Sequence, residues 1–325
     1  EMCIRDCVKA ERLKNLLKQS HTDVLGIQEH HINFAAFPSS KTLASTLRHG
    51  SDDICSIQAH NTRETKNIGH HQRGGTAVVV REQLTGFIVD RGKDEKCLGM
   101  YAWYTTEGKT GVRTTFISAY APSKSEEYGS YYQHIERYIQ EKRLQTNSKD
   151  LFRNSIIGFI QKRMHRKHQM VLMMDSNENV TDGHLSKRLA EECRLREAVH
   201  REMPGRKGPP THISNSGSKK SSGSIDGIWI SDDIELMGAS YLPFDKVLGD
   251  HRPVVVYIHM RSLLGTLLHR IVRHNARRLN SGVKKHRDMY LHSVKEGFQK
   301  KKIEQMIGSL EEEASVPPSQ VVIDK

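Results

Sequence analysis

Three β-type runs constrain this 325-residue chain most. "GGTAVVVR" (74–81), "GMYAWYTT" (99–106) and "RTTFISAYAP" (113–122) follow one another with connections too short for crossover helices. Strands joined in that way pair antiparallel, because a parallel return takes a dozen or more residues, usually a helix. "DVLGIQEH" (23–30) precedes them, and "QMVLMMDSN" (169–177), "SIDGIWIS" (224–231) and "HRPVVVYIHM" (251–260) follow, each an apolar run of strand length. Helical patterns lie between: Leu13, Leu16 and Leu17 mark an amphipathic helix, and a longer basic stretch covers residues 128–168. This order predicts an α/β (α+β) chain, a four-layer sandwich of two mixed β-sheets with helices outside.

The pattern changes near residue 260. The chain carries a net charge of +12, and between Arg261 and Lys302 twelve Lys/Arg stand against two acids, a local +10 that leaves only +2 for the rest. Leu264, Leu267, Leu268, Ile271 and Val272 recur at helical spacing, as do Ile303, Met306, Ile307 and Leu310, before Pro317-Pro318. Residues 1–260 therefore read as a globular domain and 261–325 as a basic helical extension, either a solvated face or a contact for a polyanion. No apolar run approaches the ~20 residues of a membrane span, so no membrane partner is expected. Five scattered cysteines without a CxxC pair suggest neither a disulfide framework nor a zinc cage, and a reducing, intracellular compartment follows.

What the strands deliver at their ends carries the chemistry. Glu29 ends "GIQE", Tyr120 stands in "AYAP", Asp175 and Asn177 in "DSN", Asp226 in "SID", and Asp250 and His251 in "DHRP". Singly, each is ordinary turn chemistry at a strand end. Together and in this order they resemble the endonuclease/exonuclease/phosphatase superfamily over residues 3–260, and within it the endonuclease domains of non-LTR retrotransposons. The resemblance implies Mg2+-dependent phosphodiester hydrolysis, with Mn2+ as a substitute. Glu29 would be the central metal ligand, with Asp250 close enough to assist. Asp175 would deprotonate the attacking water, and Asn177, two positions on and on the same side of the strand, would donate to the scissile phosphate while Ser176 points away. His251 would meet the phosphate with Asp226 orienting its imidazole, and Tyr120 would donate a hydroxyl to the phosphate.

The implied partners are DNA and a downstream reverse transcriptase of the same polyprotein, in the nucleus, with the nick providing a 3′-hydroxyl primer. A hydrolase of inositol or lipid phosphates and a non-catalytic nucleic-acid-binding remnant are the competing readings. Two departures from the superfamily pattern stand out. Its opening strand carries an Asn, absent from residues 1–4, so the first strand is expected to be truncated; and Met174 stands where relatives place Gly. The loop 205–224 reads as flexible, with Arg206, Lys207, Lys219 and Lys220 available to DNA phosphates. The pairs His30-His31 and His70-His71 are read as structural rather than metal-binding.

Overall fold

A computed structural model describes residues 7–48, 53–63, 69–213, 223–244, 249–265 and 282–315. Two compact units emerge, residues 1–270 and 271–325. The first begins with α1 (Cys7–Gln19), β1 (Val24–Gln28), α2 (Leu43–Leu47), β2 (Ile54–Ala59) and β3 (Thr76–Arg81), followed by β4 (Ile88–Lys93), β5 (Tyr101–Glu107) and β6 (Arg113–Tyr120). It continues through α3 (Tyr131–Glu141), α4 (Ser148–His165), β7 (His168–Asp175), α5 (His184–Cys193), β8 (Leu195–Glu197) and α6 (Ala198–Glu202). β9 (Asp226–Ser231), β10 (Leu236–Tyr241), β11 (Val254–Ile258) and α7 (Met260–Leu264) complete it. The second unit holds α8 (Lys284–Lys300) and α9 (Ile303–Ser315).

The strands form a six-stranded sheet in the order β4-β5-β6-β7-β9-β8, a three-stranded sheet β1-β3-β2 and a two-stranded sheet β10-β11. Only the six-stranded sheet is mixed: β6 and β7 run parallel, joined by the α3–α4 crossover, and every other pair is antiparallel.

Period-two alternation builds the layers. Val171 and Met173 of β7 and Ile228 and Ile230 of β9 face a core shared with Val78 and Val80 of β3. Met170, Leu172 and Met174 of β7, with Trp229 of β9, face the opposite way onto Ile135, Phe152, Ile156 and Leu189 of α3, α4 and α5. Ala77 and Val79 of β3 face a third core with Leu13 and Leu17 of α1 and Leu43 and Leu47 of α2. The layer order is thus helices, sheet, sheet, helices, as expected, but one layer alone is a mixed sheet, the other being the two antiparallel sheets β1-β3-β2 and β10-β11. Met174 sits at 2% exposure among the helix-facing apolar side chains, an ordinary packing position.

Three sequence expectations shift. The run at 74–81 does not pair with the run at 99–106, because β4 lies between them in the chain and pairs with β5, while β3 joins β1 and β2. The helical stretch at 128–168 is two helices, and Asn147 starts the second by accepting from the Asp150 N–H. The boundary at 260 moves outward, because Leu263 and Leu264 of α7 are buried in the core and the Leu263 carbonyl accepts from Thr114 Oγ1 at 2.8 Å. In the extension, α9 covers the Ile303–Leu310 pattern, while residues 266–281 lie outside the described residues. So do residues 1–6, on which the truncated-strand expectation falls, and Lys219 and Lys220.

Candidate active site

Adjacent strand ends bring the polar residues together. Tyr120 is the register partner of Asp175 across the parallel β6–β7 pair, and Asp175 the partner of Asp226 across the antiparallel β7–β9 pair. Partners in register share a face, so the two carboxylates lie side by side. Glu29 arrives from the other sheet: β1 stops at Gln28, whose side-chain amide donates to Ser118 Oγ (3.0 Å) and to the Met173 carbonyl (3.1 Å), tying the strand tip to the six-stranded sheet. Glu29 itself takes a left-handed conformation (φ +49°), which turns it out of the strand.

Carboxylate oxygens of Glu29 and Asp175 and a ring nitrogen of His251 all lie within 4.8 Å of one another. Asp226 holds His251 through its Nδ1, at 2.9 and 3.1 Å from the two carboxylate oxygens. With Nδ1 donating there, Nε2 is left for a ligand or substrate. Burial pulls the His251 pKa down, but the hydrogen bond to Asp226 and the charges of Asp226, Asp175 and Asp250 outweigh it and push the ring up to about 9. Asp175, 3% exposed, is raised well above the usual carboxylate range by burial first and by the neighbouring Asp226 charge second, with His251 opposing. Tyr120 is raised as well, by burial and by the charges of Glu29 and Asp175.

Asn177 departs from the strand geometry read from the sequence. β7 ends at Asp175, and Asn177 is left-handed (φ +48°), its backbone N–H donating to Asp175 Oδ1 at 3.0 Å and its side-chain amide to the Ala121 carbonyl at 2.8 Å. An Asx turn, not period-two alternation, brings it beside Asp175. Ser176 is buried, with its hydroxyl on the Glu178 and Ile225 carbonyls, so it locks the turn to β9 rather than pointing away idly.

Asp250 does not join the Glu29 cluster. It groups with His212 and His251, its carboxylate 3.5 Å from His212 Nε2, and burial, which would raise its pKa, is outweighed by His251 and His212, which hold it below the ordinary value. His212 is the residue that sequence reading missed. Its ring lies 4.6 Å from that of His251, and a β-bridge joins the two backbones. Thr211 anchors this contact, its Oγ1 accepting from the N–H groups of Ile225 (2.9 Å) and Asp226 (3.1 Å), so the stretch ahead of residue 214 is an ordered wall of the site. His30 and His31 serve structure: His30 is fully buried, bonded through Nε2 to the Ala59 carbonyl and held near 3 by burial, and His31 stacks on His71.

The Glu29 and Asp175 carboxylates, within 4.8 Å of each other and of His251, suit a divalent cation with oxygen preference, and the burial of Asp175 beside Asp226, only partly offset by His251 and the Asn177 N–H, is the strain such a charge would relieve.

The Endonuclease/Exonuclease/phosphatase family matches residues 5–209 of the chain. No curated protein matches it. Among solved structures, the 3′ phosphatase NExo from Neisseria shares 16% identity, with a TM-score of 0.53, over 78% of this chain and 95% of its own. The Xenopus laevis APE2 catalytic domain shares 13% (TM-score 0.53, 77% and 88% covered), and an endonuclease/exonuclease/phosphatase from Bacteroides vulgatus 13% (0.52, 77% and 90%). The matched residues carry β1 to β8 and, with them, Glu29, Tyr120, Asp175 and Asn177, and the chain belongs to the Endonuclease/Exonuclease/phosphatase family, whose members hydrolyse phosphoester bonds.

Proposed function

We propose that the chain is a Mg2+-dependent DNA endonuclease, and that the convergence of Glu29, Asp175 and His251 within 4.8 Å is the observation that carries this reading. Glu29 and Asp175 would hold the cation, which supplies charge neutralisation at the phosphoryl oxygens. Asp175 takes a proton from the attacking water. The burial and the Asp226 charge that raise its pKa make it a stronger base than an exposed carboxylate. His251, protonated at neutral pH, donates from Nε2 to a non-bridging phosphate oxygen and offsets the charge gained in the transition state. Asp226 keeps the ring charged and aimed. Asn177 uses one amide hydrogen on Ala121 and retains the second for the same phosphate. Tyr120, beside Glu29 and Asp175, would offer its hydroxyl to the phosphate. Asp250 acts on His251 and His212 rather than at the Glu29 cluster.

DNA as the substrate class is supported by two features. The Neisseria structure is of a 3′ phosphatase bound to a product DNA hairpin. The +10 carried by residues 261–302 suits a polyanion. The motif order adds the finer setting: a nick made in target DNA to leave a 3′-hydroxyl for an adjoining reverse transcriptase, which would place the protein in the nucleus.

The test is relaxation of supercoiled plasmid with Mg2+, with Mn2+ and with chelator, beside release of phosphate from inositol phosphates. Metal-dependent nicks that a polymerase extends without prior treatment support the reading. Inositol-phosphate release without nicking, or nicking undiminished in chelator, overturns it.

A further inference from the structure

His212 and His251 face each other across a single antiparallel β-bridge. Two backbone hydrogen bonds bracket the pair, one from the Ile213 N–H to the Asp250 carbonyl (2.9 Å) and one from the Arg252 N–H to the Thr211 carbonyl (2.6 Å). Bonds on the flanking residues rather than on the pair itself make this the narrow kind of antiparallel pairing, with Cα atoms about 4.5 Å apart and both side chains forced together on one face. The two rings accordingly lie 4.6 Å apart, and a nitrogen of each and a carboxylate oxygen of Asp250 fall within 4.8 Å of one another. His212 Nε2 stands 3.5 Å from Asp250 Oδ2, beyond the about 2.7–2.9 Å of a charge-assisted hydrogen bond.

We propose that His212, Asp250 and His251 form a binding site for Zn2+, distinct in its ligands from the oxygen-rich Glu29 and Asp175 pair and sharing only His251 with that cluster. The donor set selects the ion. Two imidazoles and one carboxylate suit zinc, whereas Mg2+ asks for oxygen ligands in an octahedron. Spacing points the same way. Two ligands held at about 2.0–2.1 Å by a tetrahedral ion stand about 3.4 Å apart, but neighbours around a square-planar or octahedral ion stand only about 2.9 Å apart. The 3.5 Å between His212 Nε2 and Asp250 Oδ2 fits the tetrahedral case, and the remaining spans close by rotation of side chains that are 28–37% exposed. An outer partner is already in place: Asp226 accepts from His251 Nδ1, the carboxylate–histidine arrangement that fixes the tautomer of a zinc ligand and directs Nε2 to the metal. Three protein ligands leave the fourth position to water, and the Nε2 proton passes to solvent as zinc binds. The consequence for catalysis rests on the function proposed above. Zinc on His251 Nε2 removes the proton assigned there to the phosphate, so a filled site blocks hydrolysis, and His212 is the ligand that makes the block possible.

Equilibrium binding of Zn2+ to the full chain, read by competition with a chromogenic chelator, tests the site whatever the chain hydrolyses. His212→Ala should weaken its tightest zinc site at least ~10-fold, the loss that even an outer partner of a ligand can cause, while Glu29→Gln should leave that affinity within a few-fold of native. Thermal melting of each variant shows that it is folded. Should His212→Ala melt early, Asp250→Asn, which keeps the side-chain shape, must show the same weakening. In nicking assays at fixed excess Mg2+, added Zn2+ should inhibit the native chain over the range in which the site fills, and His212→Ala should need at least ~10-fold more. Three results overturn the proposal: zinc affinity unchanged in a folded His212→Ala or Asp250→Asn; Glu29→Gln losing as much affinity as His212→Ala, which places the zinc in the Glu29 cluster; or equal inhibition of native and His212→Ala chains, which places the block elsewhere. Absence of nicking alongside the expected binding pattern would count against the proposed function and not against the zinc site.

Discussion

Replacing Asp226 by Asn isolates the electrostatics of the site without changing its shape. In the native protein the His251 ring is held at about 9, against an ordinary 6.5, so its proton stabilises the fold fully below pH 6.5, and this contribution is lost as pH rises through 9. The interval is worth roughly 3 kcal/mol, discounted to about 2–3 kcal/mol for solvent screening, because 28% of the side chain is exposed. Where one extra proton is bound in the folded state, stability should fall by up to ~1.4 kcal/mol per pH unit between 7 and 9. Asp175 carries the same sign. Its folded pKa is also raised, so keeping it ionised costs the native state increasingly more as pH climbs above the usual carboxylate range. Asp226→Asn removes both the main partner of His251 and the nearest charge on Asp175. Burial of His251 remains, opposed only by the charges of Asp175 and Asp250, so its pKa should fall from about 9 toward the ordinary value, and the decline in stability between pH 7 and 9 should flatten. Urea unfolding in chelator, followed by tryptophan fluorescence, reads this in residues 1–270 alone, because Trp103 and Trp229 are the chain's two tryptophans. A native protein whose stability does not change from pH 7 to 9, or a variant with an unaltered slope, would refute the coupling.

Three further outcomes follow from the same geometry. Glu29→Gln keeps the side-chain shape but removes charge from the cluster, so nicking should fall sharply and recover only in part as Mg2+ is raised, read from rate against metal concentration. Mg2+ binding should release protons over the pH range in which Asp175 titrates, because a cation beside it lowers a pKa that burial had raised; calorimetry at several pH values in buffers of different ionisation enthalpy measures the number, which should drop in Asp175→Asn. Truncation after residue 265 should flatten the salt dependence of DNA affinity by about 0.9 in log–log slope for each phosphate that the segment had neutralised, whereas an unchanged slope would make the +10 segment a solvated face.

The sequence made the central strands legible because both faces of β7 and β9 are buried, which turns "QMVLMM" and "IWI" into continuous apolar runs. Strand β4 carries no such signal. "IVDRGK" exposes Val89 at 47% and alternates charges at a sheet edge, so it reads as a connection. The short β8 and the Gly-containing β10 are invisible for similar reasons: pairing with a neighbour, not composition, makes them strands. At the site, residue types at strand ends located Glu29, Asp175, Asp226 and His251, but their geometry comes from backbone that no period describes. Glu29 and Asn177 both sit at positive φ just beyond a strand, where Asn is a known tolerant residue and Glu is not. His212 was hidden by its setting between Pro209-Pro210 and a Ser/Gly-rich stretch. Only the bridge to His251, 39 positions away, gives it a role, and nothing local encodes that pairing.

The most direct measurement is single-turnover nicking by Asp175→Ala at saturating Mg2+, with DNA affinity of the same variant determined in parallel. Loss of a positioned base should slow cleavage by at least ~10²-fold while affinity stays within a few-fold of the native value. Native-like cleavage by the variant would contradict the assignment of chemistry to the Glu29, Asp175 and His251 cluster, and an equal collapse of binding and cleavage would make Asp175 a structural residue instead.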